Sequence, residues 1–205
     1  NSTSTTSACP TLPTNLQTGL VGYWPFCGNA NDESGNGNNG SFTGPSCIGC
    51  GLVTAAPTST VDRFNSLSSS YEFSNGFDLI NIPNSSSLQV SSQFTISIWV
   101  NPNLGGYGQG PSYLTLLQKW GGTGSGASYM VTLTHAGIPI LYTNNAITNT
   151  SISGLNPISL NAWSLITFSF QNGVASLYIN GVFSNSLSNL GNPSIENSNI
   201  EIARN

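Results

Sequence analysis

Charge is what this chain has least of. Only three of its 205 residues are Lys or Arg and seven are Asp or Glu, 5% in all with a net charge of −4, where about 25% is usual. Three scattered cations (Arg63, Lys119, Arg204) cannot form the basic surface that displaces counterions from a phosphate backbone, so nucleic acid is excluded as a partner. There is no run of about 18 apolar residues, so no membrane insertion by an apolar helix is expected. No stretch repeats its apolar residues at helical spacing over three turns. Low charge does not mean disorder here, because hydrophobic residues reach 38% and aromatics 10%. A chain of this length buries enough surface for a substantial core.

Neutral polarity takes the place of charge. There are 32 Ser, 26 Asn and 19 Thr. Hydroxyls and amides hydrate a surface at any pH, and with few ionisable groups folding should depend weakly on pH. Residue 1 is Asn rather than Met, as expected if an upstream segment has been removed. The composition suits an extracellular chain, secreted or displayed at the cell surface. Glycosylation sequons stand at Asn1, Asn39, Asn84 and Asn149.

All four cysteines, Cys9, Cys27, Cys47 and Cys50, fall in the first quarter. A zinc site would need a second closely spaced pair, and His135, the lone histidine, is far away in sequence. Redox use of Cys47–Cys50 would need a βαβ setting. Two structural disulfides are therefore expected, as in exported proteins, with Cys47 and Cys50 pairing separately with Cys9 and Cys27.

Alternating patterns bounded by Gly, Asn, Pro and Ser recur along the chain. They predict strands at 20–26, 70–73, 79–82, 94–100, 113–117, 129–133, 138–142, 163–170 and 174–179. In 94–100, Phe94, Ile96, Ile98 and Val100 share one face. Asn172-Gly173 and Asn180-Gly181 separate such runs and supply the positive φ angles of tight hairpins. About ten short strands joined this way predict an all-β antiparallel sandwich or barrel.

Gly19-Leu-Val-Gly-Tyr-Trp-Pro-Phe26, the Gly28–Gly40 loop, Phe94–Pro102, and Ala162–Phe170 with Leu177-Tyr-Ile-Asn-Gly181 follow one another in order. Together they resemble the LamG-like (laminin G-like) domains of the concanavalin A-like lectin/glucanase superfamily. The resemblance implies a two-sheet antiparallel jelly-roll β-sandwich over 19–205, and residues 1–18, which have no core pattern, are expected to form an extended arm. The chain departs from that family's pattern at Cys27 and in the Cys47–Cys50 loop.

Catalytic machinery is not expected. His135 has no carboxylate near it in sequence, and no Gly-x-Ser-x-Gly elbow follows a strand. A glycosidase needs two facing carboxylates, and only Glu196 and Glu201 come loosely close. No cofactor is expected, with one exception. The Asn31–Gly40 loop packs oxygen donors among glycines, so Asp32 with Asn36 and Asn38 either holds a structural calcium, as the resemblance implies, or forms a hydrogen-bonded Asx-rich turn. Trp24, Trp99 and Trp163 are expected to pack in the core or on a sheet face. Tyr107, Tyr113 and Trp120, near Gly-rich loops, are the candidates for stacking on a sugar ring. Lys119, the lone lysine, is either a surface charge or the amine of an intramolecular isopeptide bond, as in some surface adhesins.

Two functions are therefore expected. The first is a non-catalytic adhesion or binding module for a carbohydrate or matrix ligand. The second is a subunit of an extracellular filament, self-associating through a strand supplied by the 1–18 arm to an edge left open beside the last strand, 199–203.

Overall fold

The computed structural model describes residues 10–43, 56–74, 78–103, 113–120, 127–144 and 149–203. The chain gathers into two compact units, Asn1–Pro83 and Asn84–Asn205. The boundary falls inside the 19–205 stretch that the sequence suggests is one domain.

In the first unit, β1 (Ser41–Thr43) pairs antiparallel with β4 (Leu79–Ile82), and β2 (Thr58–Thr60) with β3 (Ser70–Glu72). The rings of Phe26 and Phe42 both meet Tyr71, with centroids 5.9 and 4.6 Å away. The strand expected at 20–26 does not form. Its backbone groups find side-chain partners instead. The Leu20 and Val21 carbonyls accept from the Asn36 and Asn38 side-chain amides, and the Tyr23 N–H donates to Asp32. Phe26, at φ 59°, turns the chain out of any ladder.

The second unit contains two antiparallel sheets. One has the order β13-β6-β7-β8-β9, from β6 (Tyr113–Trp120), β7 (Ala127–Thr134), β8 (Pro139–Asn144), β9 (Asn149–Ser153) and β13 (Ile200–Ile202). The other is β12-β11-β10-β5, from β5 (Gln93–Val100), β10 (Ser164–Gln171), β11 (Val174–Ile179) and β12 (Val182–Leu187). The fold is an all-β jelly-roll sandwich. Alternation in β10 buries Ile166, Phe168 and Phe170 and leaves Leu165, Thr167 and Ser169 on the other face. The sheets meet through Phe94 of β5, which stacks on Phe170 at 5.1 Å and touches Tyr129 of β7 at 5.4 Å. Val131, Leu133, Leu141, Ile152 and Leu177 complete this interior.

Both Asn-Gly hairpins form as expected. Asn172 and Gly173 have φ 47° and 82° between β10 and β11, and Asn180 and Gly181 have 52° and 79° between β11 and β12. Positive φ at both central residues gives a turn whose twist matches the flanking strands. β1, β2, β9 and β12 were not expected. Each is short or built mainly of Ser, Thr and Asn, and owes its place to pairing with a neighbour.

Candidate functional site

The Asn31–Gly40 loop is closed by hydrogen bonds. Asp32, 8% exposed, accepts from the N–H groups of Tyr23 and Ser34 on Oδ1 and of Asn38 on Oδ2, each at 2.9 Å. Asn38 donates its side-chain amide to Val21 at 2.7 Å and its carbonyl accepts from the Trp24 indole at 2.9 Å, while Asn36 donates to Leu20. Burial alone would raise the Asp32 pKa, but the Ser34 hydroxyl and the Tyr23, Ser34 and Asn38 amides outweigh it and hold the carboxyl below its ordinary value. This donor set fits calcium poorly, because its one carboxylate is already engaged by three N–H groups. Among the described residues, no group of three or more His, Cys, Asp or Glu could hold a metal ion.

The aromatic candidates do not come together as one site. Tyr107 lies outside the described residues. Tyr113 and Trp120 stand at opposite ends of β6, about 23 Å apart at about 3.3 Å per residue. One sugar ring cannot touch both. Trp24 lies against Gly22, where an added Cβ would sit 2.2 Å from its ring, Trp163 is half-buried, and Trp99 is 41% exposed on its sheet face. Cys27 is disulfide-bonded, and Cys9, Cys47 and Cys50 lie outside the described residues, as does Asn1. Of the other sequons, Asn39 is exposed and accepts from the Asp32 N–H, Asn84 is half-buried, and Asn149 opens β9.

Tyr113 does find an aromatic partner that the sequence did not single out. Tyr129, Val131 and Leu133 of β7 face the interior, so Ser128, Met130, Thr132 and Thr134 face outward. On that outer face Tyr113, 42% exposed, meets Tyr142 of β8 edge to face, with centroids 6.4 Å apart and planes at 87°. In register, Gln118, Met130, Tyr142 and Ser151 form one row and Thr115, Thr132 and Ile140 the next. Gln118 donates to the Glu201 carboxylate at 2.6 Å. Ser128 and Thr132 are each 1% exposed, and neither hydroxyl has a hydrogen-bond partner. Burial first, and then a hydrogen bond with Tyr113, pushes the Tyr142 phenol up.

The outer face of the four-stranded sheet is also neutral and carries Trp99 and the Tyr178–Phe183 pair. Two pairs of its hydroxyls bond each other, Ser97 with Thr167 at 3.0 Å and Ser176 with Ser186 at 3.1 Å. Period-2 alternation could have placed Tyr142 opposite Leu141, but its approach to Tyr113 follows from strand order and register.

His135 is exposed in the turn between β7 and β8, Glu201 is on β13 against Gln118, and Glu196 is in the loop before it rather than on a strand. No described helix is long and apolar enough to cross a membrane.

The family model for the concanavalin A-like lectin/glucanases superfamily, in its laminin G form, matches residues 74–205. The chain belongs to this superfamily. Its fold is similar to domain 4 of AbnA, a GH43 extracellular arabinanase from Geobacillus stearothermophilus, in complex with arabinotriose. That match has TM-score 0.60 and 21% identity and covers 89% of this chain and 82% of that one. It is also similar to the botulinum neurotoxin serotype D binding domain, with TM-score 0.51, 15% identity and 84% of this chain covered against 40% of that one. The receptor binding domain of botulinum neurotoxin mosaic serotype C/D gives 0.56, 17%, 85% and 40%. The superfamily chain thus spans about 40% of the length of the two toxin chains. None of the curated proteins matches it.

Proposed function

We propose that this superfamily member is a non-catalytic, exported module that binds a neutral carbohydrate on the Tyr113–Tyr142 face. The observation that carries the reading is the edge-to-face pair formed by exposed Tyr113 and half-buried Tyr142. A sugar offers C–H faces to stack on such a ring and hydroxyls that need no charged partner. Gln118 and Glu201 add a donor-bearing amide and an acceptor at the far side of that face. A net charge of −4 favours neutral over acidic sugars. Similarity in fold to a domain in complex with arabinotriose, and family membership, support a carbohydrate ligand. The low charge and the disulfide at Cys27 support an extracellular place.

A panel of neutral and acidic glycans, followed by titration calorimetry on any hit, tests the reading. Neutral glycans should bind, and Tyr113→Ala or Tyr142→Ala should weaken binding about tenfold, the effect of losing one ring contact of about 1.4 kcal/mol. Silence across the panel, or binding indifferent to both substitutions, removes it.

A further inference from the structure

Lys119 is neither exposed nor ion-paired in the way a lone surface lysine would be. It is fully buried on the inner face of β6, in the row that runs Ile200, Lys119, Tyr129, Thr143. Its Nζ donates to Asn84 Oδ1 at 2.6 Å and to the Ser198 carbonyl at 2.6 Å, both neutral partners. An ammonium taken out of water needs an opposite charge or it becomes costly. Conversion to an amide would remove that cost while keeping the packing of the four-carbon stem.

Asn84 is held as an acylating partner would have to be. Its backbone N–H donates to Asn199 Oδ1 at 3.0 Å, and its side-chain nitrogen points at Asn197 Oδ1 at 3.5 Å. With Oδ1 2.6 Å from Nζ and a C=O bond of about 1.2 Å, the Asn84 Cγ lies within about 3.8 Å of the amine, close to near-attack distance.

We propose that Lys119 and Asn84 are joined by an intramolecular isopeptide bond. The uncharged amine attacks the Asn84 carboxamide, so that an Nζ–Cγ bond forms and the Cγ–Nδ2 bond breaks. Nδ2 leaves as ammonia, carrying away a proton that the amine gives up. The amide N–H that remains on Nζ keeps the Ser198 carbonyl as its acceptor. Nothing is oxidised or reduced. Burial lowers the Lys119 pKa toward the nucleophilic free amine, partly opposed by the charge of Glu196. The bond would close a loop of 35 residues between the start of the second unit and β6. It expels the nitrogen that a glycan at the Asn84 sequon would be attached to, so the crosslink and a glycan there exclude each other.

Trypsin gives a direct readout, because the chain has only Arg63, Lys119 and Arg204 to cut after. In the reduced, alkylated and denatured full chain, an acylated Lys119 resists cleavage and residues 64–204 stay in one fragment, lighter by the mass of one ammonia. Fragmentation should place the link between Lys119 and Asn84. Lys119→Arg should restore both the cut at 119 and the full mass. Full mass with complete cutting at Lys119 overturns the proposal. So does a glycan on Asn84, or an ammonia deficit in a chain still cut at Lys119, which would mark a succinimide elsewhere. The wild-type result decides the matter whether or not the variant folds.

Discussion

Replacing Asp32 tests whether hydrogen bonds alone hold the Asn31–Gly40 loop. Its carboxylate accepts three backbone N–H groups at 2.9 Å and is 8% exposed, so water cannot easily take its place. A hydrogen bond to a charged acceptor contributes about 1.5–3 kcal/mol. Three on one carboxylate do not add in full, and orphaned amides recover water once the loop opens. Asp32→Ala should therefore cost about 3 kcal/mol. Asp32→Asn keeps an acceptor for some of the amides but turns an NH2 toward another, and should cost about 1–2 kcal/mol. Amide exchange at Tyr23, Ser34 and Asn38, read by mass spectrometry, should rise about 100-fold in the alanine variant, at about 1.4 kcal/mol per tenfold. The sign with pH follows from the depressed carboxyl pKa. Its contribution is full above the unfolded carboxylate value of about 3.9 and disappears as pH falls through the lower folded value. The gap between wild type and Asp32→Asn should thus narrow below about pH 4. Calcium and chelator should leave the wild-type melting temperature unchanged. Unaltered exchange at the three amides refutes the argument, and a calcium-dependent rise in melting temperature that Asp32→Asn abolishes would restore the cation reading.

Two further outcomes are expected from the second unit. Phe168→Ala, at a fully buried position of β10, should cost about 3–5 kcal/mol in urea unfolding through lost burial and a cavity; a cost under about 1 kcal/mol would mean that the interior is not packed as described. Gly181→Ala places a Cβ in open space but at φ 79°, so its cost of about 1–2 kcal/mol should come from backbone strain alone. At the neighbouring Asn180, also at positive φ, glycine should relieve the backbone but remove the acceptor of the Leu165 N–H, a net cost of about 1 kcal/mol or less.

Alternation and turn chemistry were legible one residue at a time. The Phe94–Val100 pattern, the Trp163–Phe170 pattern and the two Asn-Gly turns place β5, β10 and β11, because side-chain period and positive φ are local properties. The scarcity of charge is likewise a property of composition. What pairs with what was not legible. Residues 20–26 read as a strand until Asn36, Asn38 and Asp32 take up its backbone groups, a choice made by residues 9 to 17 positions away. Tyr113 was expected beside Trp120, yet its neighbour is Tyr142, two strands across the sheet. Lys119 shows the limit most plainly. Its identity left open a surface charge or the amine of an isopeptide bond, and only the register of β6 against β7 and β13 turns it inward, where Asn84, 35 residues back, meets its amine. Local sequence decides what a residue can do, and long-range pairing decides which of those possibilities it has a partner for.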